Sequence, residues 1–243
     1  FRAQDPLRFM LMSATLPSSR LMEMLPEAHL VVSEGRSYPV DIHHVPMSSP
    51  HRSEHHLIST IAKQVVVTLK DHPGSSQLVF LPGQSEIRRL TTLLRDQVGG
   101  DIRLCPLFGG LSLPEQREAI ERSSPDVVKI VLATNIAETS LTIDGVDVVI
   151  DSGLCREPGF DPGTAMTRLT TRRISKASAT QRAGRAGRLG PGYCYRLWSK
   201  TQHDELATDV TPEIHQADMT PLALQLLSFG ISDPADVDWL DAP

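Results

Sequence analysis

Cysteine is scarce in this sequence, and its three cysteines do not form a disulfide or zinc pattern. Cys105, Cys155 and Cys194 lie far apart, are odd in number and include no CxxC pair. This spacing argues against a metal site or a disulfide framework and indicates reduced thiols in a cytoplasmic protein. The sequence also lacks a signal-peptide pattern and any apolar run approaching about 18 residues, so no membrane segment is expected.

Acidic residues are missing from one long stretch, although the whole chain has a net charge of −5. Residues 162–203 contain no Asp or Glu, and they hold nine basic residues: Arg168, Arg172, Arg173, Lys176, Arg182, Arg185, Arg188, Arg196 and Lys200. Such a basic surface can attract phosphate locally, because charge interactions are screened over roughly 8 Å at physiological salt. The stretch therefore indicates phosphate or nucleic-acid binding. A solvated basic surface without a ligand stays open as the alternative.

The residues that are present have the composition and the patterning of a soluble α/β protein. Of the 243 residues, 40% are hydrophobic and 22% are charged, as in ordinary globular domains. Strands are predicted at 9–12, 77–81, 102–107, 127–133, 146–151 and 193–198. Helices are predicted at 57–69, 85–98 and 112–121, with further helices beginning at Ser178 and Thr220. Residues 35–56 are predicted to be irregular, and the alternation elsewhere predicts a parallel sheet with flanking helices.

Local signals mark two helix starts and one β-hairpin. Ser112 with Glu115, and Ser178 with Gln181, have the spacing of capping boxes. Residues 154–173 are predicted to form a hairpin that turns at 161–163. The segment after residue 200 is interpreted as the start of a helical module that this chain does not complete.

The strongest chemical signal is the octet Gln-Arg-Ala-Gly-Arg-Ala-Gly-Arg at residues 181–188. The spacing of Arg182, Arg185 and Arg188 predicts adjacent turns of one helix face. Guanidinium groups suit a polyphosphate because they are always charged and bind oxygens in a planar fork. A merely solvated basic helix is the alternative, and the two glycines disfavour it by roughly 1 kcal/mol each.

A second cluster, of histidines, does not have the pattern of a metal site. The cluster comprises His43, His44, His51, His55 and His56. Adjacent side chains diverge, and neither a Cys nor a pair of carboxylates accompanies them. We therefore predict that no metal binds there.

Several motifs in order resemble those of superfamily 2 helicases of the DEAH-box/RHA branch. Residues 13–15 (Ser-Ala-Thr) look like motif III, 78–83 like motif IV, 133–143 like motif V and 181–188 like motif VI. Residues 174–178 ahead of motif VI are also typical of that branch. Within the branch, residues 34–40, 188–192 and 238–241 look like the bacterial HrpB-type helicases. The resemblance implies a RecA-like motor domain, the second of two that enclose ATP.

The resemblance also implies a role for individual residues at the nucleotide. Arg185 and Arg188 would reach the γ-phosphate as arginine fingers, and Gln181 would orient the attacking water or the phosphate. ATP contacts are further expected from Asp144, Arg182 and Gly187. Where many relatives have an aromatic residue that stacks on the base, this sequence has Ile120. That departure implies weak discrimination among nucleotides.

A second set of implied roles concerns single-stranded RNA or DNA, with RNA favoured. Contacts with the strand are expected from Thr134, Asn135, Gly83, Arg156 and Arg172. The 154–173 hairpin would separate or guide strands, although a plain surface ribbon is the alternative. Ser13 and Thr15 would couple the two sites, or would simply cap the end of a strand.

Two motifs that such a motor needs do not occur in the sequence. There is no GxxxxGK[ST] loop and no Asp-Glu-x-His run. ATP and magnesium would therefore be held mainly by a first RecA-like domain of the same protein. We expect residues 1–16 to end that first domain, 17–200 to form the second, and 201–243 to begin a winged-helix-like module. The alternatives are a non-enzymatic nucleic-acid clamp and an unrelated α/β nucleotide-binding enzyme.

Overall fold

A computed structural model describes residues 9–12, 18–32, 38–47, 54–121, 124, 127–138 and 141–243. The chain divides into two compact units. The larger is Gly35–Asp218, and the smaller comprises Phe1–Glu34 and Met219–Pro243. These boundaries differ from the divisions after residues 16 and 200 that the sequence suggested. Residues 201–218 lie with the larger unit.

The larger unit is built on six parallel strands. Five come first along the chain: β1 Val40–His44, β2 Ser76–Phe80, β3 Ile102–Leu107, β4 Val128–Ala133 and β5 Val146–Asp151. A separate antiparallel hairpin follows, β6 Leu154–Asp161 and β7 Met166–Arg173, and β8 Gly192–Arg196 completes the sheet. The order across the sheet is β1-β8-β5-β2-β4-β3, with every pair parallel. This confirms the parallel α/β class.

Helices cover both faces of the sheet, because residues in the central strands alternate between two cores. The helices of this larger unit are α2 Glu54–Asp71, α3 Gln84–Arg95, α4 Leu113–Ile120, α5 Lys176–Ala183 and α6 Lys200–Asp204, whereas α1 Ser18–Met24 and α7 Thr220–Ser228 belong to the smaller unit. Val79 and Ile150 pack with apolar residues of α2 and α3. Leu78, Phe80 and Val149 pack on the opposite face, with Ala119 of α4 and Ala183 of α5. Strands buried on both faces explain the near-continuous apolar runs.

Three local predictions were wrong, each for a physical reason. Residues 9–12 pair with no strand among the described residues and are exposed, since an apolar run alone supplies no hydrogen-bonding neighbour. The region 35–56, predicted to be irregular, contains strand β1. This strand lies at an edge of the sheet, beside β8, and its half-buried and exposed side chains do not form a clear apolar pattern in the sequence. Helix α5 begins two residues earlier than expected, because the Ser175 side chain, not that of Ser178, caps it. By contrast, the Ser112 and Glu115 capping box is confirmed.

Polar contacts within the smaller unit include an ion pair and an indole hydrogen bond. Arg20 forms an exposed ion pair with Asp241 at 2.9 Å. The indole N–H of Trp239 donates to the carbonyl oxygen of Pro234 at 2.7 Å. No helix within the described ranges is long and apolar enough to cross a lipid bilayer.

Candidate functional site

The arginine octet does not lie on one helix face, which corrects the expectation from its spacing. Helix α5 ends at Ala183, and the backbone continues in tight turns through Arg188. Gly184 follows the helix and Gly187 lies within the turns, and glycine has a weak helix propensity. The three arginines therefore do not share one environment, and Arg182 is directed to partners different from those of Arg185 and Arg188.

Arg182 is the most buried of the three and joins four elements. Its side chain is 1% exposed, and it pairs with Glu138 at 2.9 Å and with Asp151 at 3.0 Å. It also donates to the carbonyl oxygen of Leu154 at 3.2 Å and lies over the Phe80 ring at 4.7 Å. Burial alone would lower the pKa of Arg182, but the two carboxylates outweigh it and raise that pKa. The guanidinium is thus committed to partners inside the domain.

Arg185 and Arg188 rest on the loop between β4 and β5. Arg185 is 5% exposed and donates to the carbonyl oxygens of Leu141, at 2.6 Å, and of Glu138. Arg188 is exposed and donates to the Thr142 hydroxyl at 2.9 Å. Both arginines of the predicted finger pair therefore converge on one loop, the predicted motif V.

The charge on this pair is not neutralised by the groups that it contacts. Arg185 and Arg188 make the hydrogen bonds described above to neutral oxygens only. Burial, and then the charge of Arg188, lower the pKa of Arg185 to about 10, with Glu138 opposing them. Arg185 still carries its charge at neutral pH. Glu138 is itself paired with Arg182 and only partly offsets the cost of the buried Arg185 charge, so the pair is suited to receive an anion.

The other predicted nucleotide contacts lie at separate points. Gln181 is half-buried in the last turn of α5. Asp144 is exposed just before β5, and its backbone N–H donates to the carbonyl oxygen of Ile120 at 3.4 Å. The structure thus brings together Asp144, which was expected near the ribose, and Ile120, which was expected where relatives have a stacking aromatic residue.

Gly187 has a structural reason to be glycine. Its carbonyl oxygen accepts from the Tyr38 N–H at 2.8 Å. A Cβ at this position would lie 2.6 Å from the Tyr38 carbonyl oxygen and 2.8 Å from a methyl group of Val40. Gly187 therefore lets the arginine segment pack against the start of β1.

Three residues predicted to contact the nucleic acid lie at the carboxyl ends of parallel β-strands. Thr134 follows β4, donates its N–H to the Leu107 carbonyl oxygen at 3.2 Å and precedes a short 3-10 helix, Asn135–Ala137. Asn135 is exposed, and Gly83 follows the end of β2 and precedes α3. This edge is where open α/β sheets bind ligands. Ser13 and Thr15 lie outside the described residues.

The two hairpin arginines have unequal environments. Arg156 pairs with Glu86 at 2.6 Å, and Glu86 is 3% exposed. Arg172 lies on β7, a strand whose residues are all exposed, and donates to the Gln216 side chain at 3.3 Å. Arg172 is thus open to a ligand, whereas Arg156 is already neutralised.

The carboxylates that form ion pairs with Arg156 and Arg182 were not predicted from the sequence. Glu138, Asp151 and Glu86 were not among the predicted site residues. Asp151 did give a signal, since a single Asp at the end of a buried strand requires a partner. Within the described ranges, no group of three His, Cys, Asp or Glu side chains could hold a metal ion.

In sequence comparisons, the chain is similar to a helicase domain family and to two helicases. The family described as helicase conserved C-terminal domain matches residues 57–190. ATP-dependent RNA helicase HrpB of Escherichia coli (strain K12) is 48% identical over 240 residues, which cover 99% of this chain and 29% of that protein. ATP-dependent RNA helicase DEAH11, chloroplastic, of Arabidopsis thaliana is 37% identical over 241 residues, which cover 98% of this chain and 13% of that protein.

Solved structures agree with these sequence matches. The crystal structure of Escherichia coli DEAH/RHA helicase HrpB superposes with a TM-score of 0.87 at 48% identity, covering 96% of this chain and 29% of that one. The crystal structure of E. coli DExH-box NTPase HrpB gives a TM-score of 0.84 at 47% identity, covering 96% and 28%. These matches confirm the RecA-like fold. The chain spans less than a third of each relative.

Proposed function

Because the chain belongs to the helicase conserved C-terminal domain family, we propose that it is the second motor domain of an ATP-dependent RNA helicase of the DEAH/RHA branch. Within that motor it supplies arginines to the nucleotide and contacts to the RNA strand. The named relatives are RNA helicases, which favours RNA over DNA. The whole protein acts in the cytoplasm.

One observation carries the proposal: two positively charged side chains meet on one loop and, among the described residues, form no ion pair with a carboxylate. Arg185 and Arg188 donate only to neutral oxygens of residues 138–142. The arriving γ-phosphate supplies the missing negative charge. As charge develops on the phosphate in the transition state, an arginine finger of this kind accelerates hydrolysis by roughly 10³–10⁵.

The remaining nucleotide contacts follow from their places around this pair. Gln181 orients the attacking water or the phosphate. Asp144 lies at the ribose, and Ile120 packs on the base without stacking, which gives weak base selectivity. ATP and magnesium are bound mainly by the first motor domain, since this chain has no phosphate-binding loop.

Arg182 and Gly187 act in support of the nucleotide site. Arg182 is enclosed by Glu138, Asp151 and Phe80, so its role is to hold α5, and the finger segment that follows it, against the loop between β4 and β5. Gly187 allows the same segment to approach β1. Neither residue needs to touch ATP for its loss to disturb the site.

The RNA strand runs along the carboxyl edge of the sheet. Thr134, Asn135 and the backbone at Gly83 bind phosphates, contacts that position a strand without reading its sequence. Arg172 adds a charge on the hairpin, which guides or separates strands. Ser13 and Thr15 couple this edge to the nucleotide, and hydrolysis then moves one motor domain relative to the other.

The test is strand-stimulated ATP hydrolysis by the full-length protein, with RNA and with DNA. We expect RNA to stimulate turnover, and Arg185→Ala and Arg188→Ala to abolish it while ATP still binds. Arg103→Gln is the control, since the ion pair of Arg103 with Glu118, at 3.7 Å, is exposed. Wild-type protein without turnover on either strand would instead identify a nucleic-acid clamp.

A further inference from the structure

We infer that Glu86 and Arg156 form a positioning pair that fixes the root of the β6–β7 hairpin to helix α3, and that Arg156 does not contact nucleic-acid phosphate. The inference rests on the proposed function for its consequence, because the hairpin is the element proposed to guide strands. It assigns a role to Glu86 and changes that expected for Arg156. The pair links the helix that follows the predicted motif IV directly to the hairpin.

The contacts around Arg156 account for most of its donor groups. One terminal nitrogen donates to the buried Glu86 carboxylate at 2.6 Å, and the other donates to the Ser85 hydroxyl at 3.2 Å. The Nε–H donates to the Thr171 hydroxyl on β7 at 3.4 Å. Arg156 therefore joins both hairpin strands to the first turn of α3, and few of its donors remain for a ligand.

Glu86 is an unusual carboxylate because it is almost fully buried. Its side chain is 4% exposed, compared with 33% for Arg156, and a buried carboxylate needs a paired charge. Its other carboxylate oxygen accepts from the Ser85 hydroxyl at 3.0 Å. The acid is fixed by the helix, and the arginine is the partner brought by the hairpin.

Gly83 shows that the loop is shaped around this pair. A Cβ at Gly83 would overlap the Arg156 guanidinium and lie 2.9 Å from the Glu86 carboxylate. The backbone at Gly83 is extended, with φ of −162°, so alanine is not excluded by backbone strain. Alanine there would displace the far end of a flexible side chain, which perturbs the pair without removing either charge.

The hairpin benefits from such an anchor because one of its two strands is exposed along its whole length. A two-stranded ribbon is only marginally stable alone, and every residue of β7 is exposed. A nucleic-acid strand bound at the Gly83 loop would shift α3 and Glu86 together. Through Arg156 that shift reaches the hairpin root, so nucleic-acid binding at this loop and the position of the hairpin are coupled.

The experiment compares full-length wild-type protein with Glu86→Gln, Arg156→Gln, their double variant, Arg156→Lys and Gly83→Ala. Hydrogen exchange of the hairpin amides reports the anchor without requiring activity. We expect protection to fall by about tenfold in the two single Gln variants, the low end for a charge-assisted hydrogen bond that is partly exposed. The double variant should be no worse than either single one, Gly83→Ala should behave like Glu86→Gln, and Arg156→Lys should keep most of the protection.

Two further readouts separate positioning from phosphate contact. We expect the salt dependence of single-stranded RNA affinity to keep the wild-type slope in both Gln variants, while base pairs unwound per ATP fall. The matched control is Arg103→Gln with Glu118→Gln, an exposed pair on β3 and α4, which should change neither. A slope reduced by about 0.7 in Arg156→Gln alone would mean a lost phosphate contact and would overturn the inference. So would unchanged hairpin exchange in Glu86→Gln.

The outcomes distinguish this inference from the proposed function. Wild-type protein that does not hydrolyse ATP in the presence of RNA contradicts the proposed motor. The exchange and salt-slope results still decide whether Glu86 positions the hairpin through Arg156.

Discussion

Replacing Arg182 by methionine should destabilise the domain more than any other single change in the arginine segment. The substitution leaves Asp151, which is fully buried, and Glu138 without their shared counter-charge. It also removes the donor to the Leu154 carbonyl oxygen. Within the described residues, the Asp151 carboxylate would keep the bond from the Gly153 N–H, at 2.9 Å, as its one hydrogen bond.

The magnitude follows from the contacts that are lost. Each hydrogen bond to a charged group contributes about 1.5–3 kcal/mol, so the two ion-pair bonds of Arg182 amount to about 3–6 kcal/mol. Breaking a buried ion pair from one side typically costs about 3–5 kcal/mol, and the two figures overlap. A domain of this size has about 5–15 kcal/mol in total. At about 2–4 °C for each kcal/mol, the melting temperature should fall by about 6–20 °C.

The assay is urea unfolding of the 243-residue chain, followed by circular dichroism at neutral pH. Arg188→Met is the matched control, because Arg188 is exposed and donates to Thr142; it should change the unfolding free energy by less than about 0.5 kcal/mol. Adding Glu138→Gln and Asp151→Asn to Arg182→Met should recover much of the loss, since no charge is then left unpaired. A decrease in the free energy of unfolding below about 1 kcal/mol in Arg182→Met alone would contradict the claim that Glu138 and Asp151 depend on Arg182 as their counter-charge.

Three other perturbations test separate parts of the structure. Gly187→Ala should lower the unfolding free energy by about 1–3 kcal/mol, measured in urea, because its Cβ would lie 2.6 Å from the Tyr38 carbonyl oxygen; Gly190→Ala, which has open space, is the control. Burial raises the pKa of Cys155 and of Cys194 from 9.0 to about 12, so unfolded thiols ionise first. The contribution of each protonated thiol to the free energy of unfolding is fully present below pH 9.0 and is lost as pH rises towards 12, at up to about 1.4 kcal/mol per pH unit. Measured by urea unfolding across this range, the free energy of unfolding should decline less when both cysteines are replaced by alanine. Gln216→Ala should increase hydrogen exchange in the hairpin without changing exchange in the sheet; equal increases in both would contradict a local role.

The sheet could be predicted because its strands are buried on both faces. The predicted ranges 127–133 and 146–151 match β4 and β5 to within one residue, since apolar runs bounded by turn residues leave few alternatives. The edge strand β1 could not be found in this way. Its side chains are half-buried or exposed, and its place is set by hydrogen bonds to β8 far along the chain.

The candidate site was found through its arginines, but the environment of each arginine was not predictable. The spacing of Arg182, Arg185 and Arg188 predicts a common face only while the helix continues, and the helix ends at Ala183. The acidic partners of Arg182 lie 44 and 31 residues away. No local pattern indicates which of three similar arginines such partners will enclose.

The most direct test of the central claim is single-turnover ATP hydrolysis on saturating RNA by the full-length Arg188→Gly protein, with and without added guanidinium ion. Arg188 is exposed, so a guanidinium ion can enter the space that its side chain leaves. We predict a rate constant lower by roughly 10³–10⁵, unchanged ATP affinity, and partial recovery when guanidinium is added. A rate constant close to that of wild-type protein, or a loss confined to ATP affinity, would contradict the assignment of Arg188 as a group that acts on the γ-phosphate.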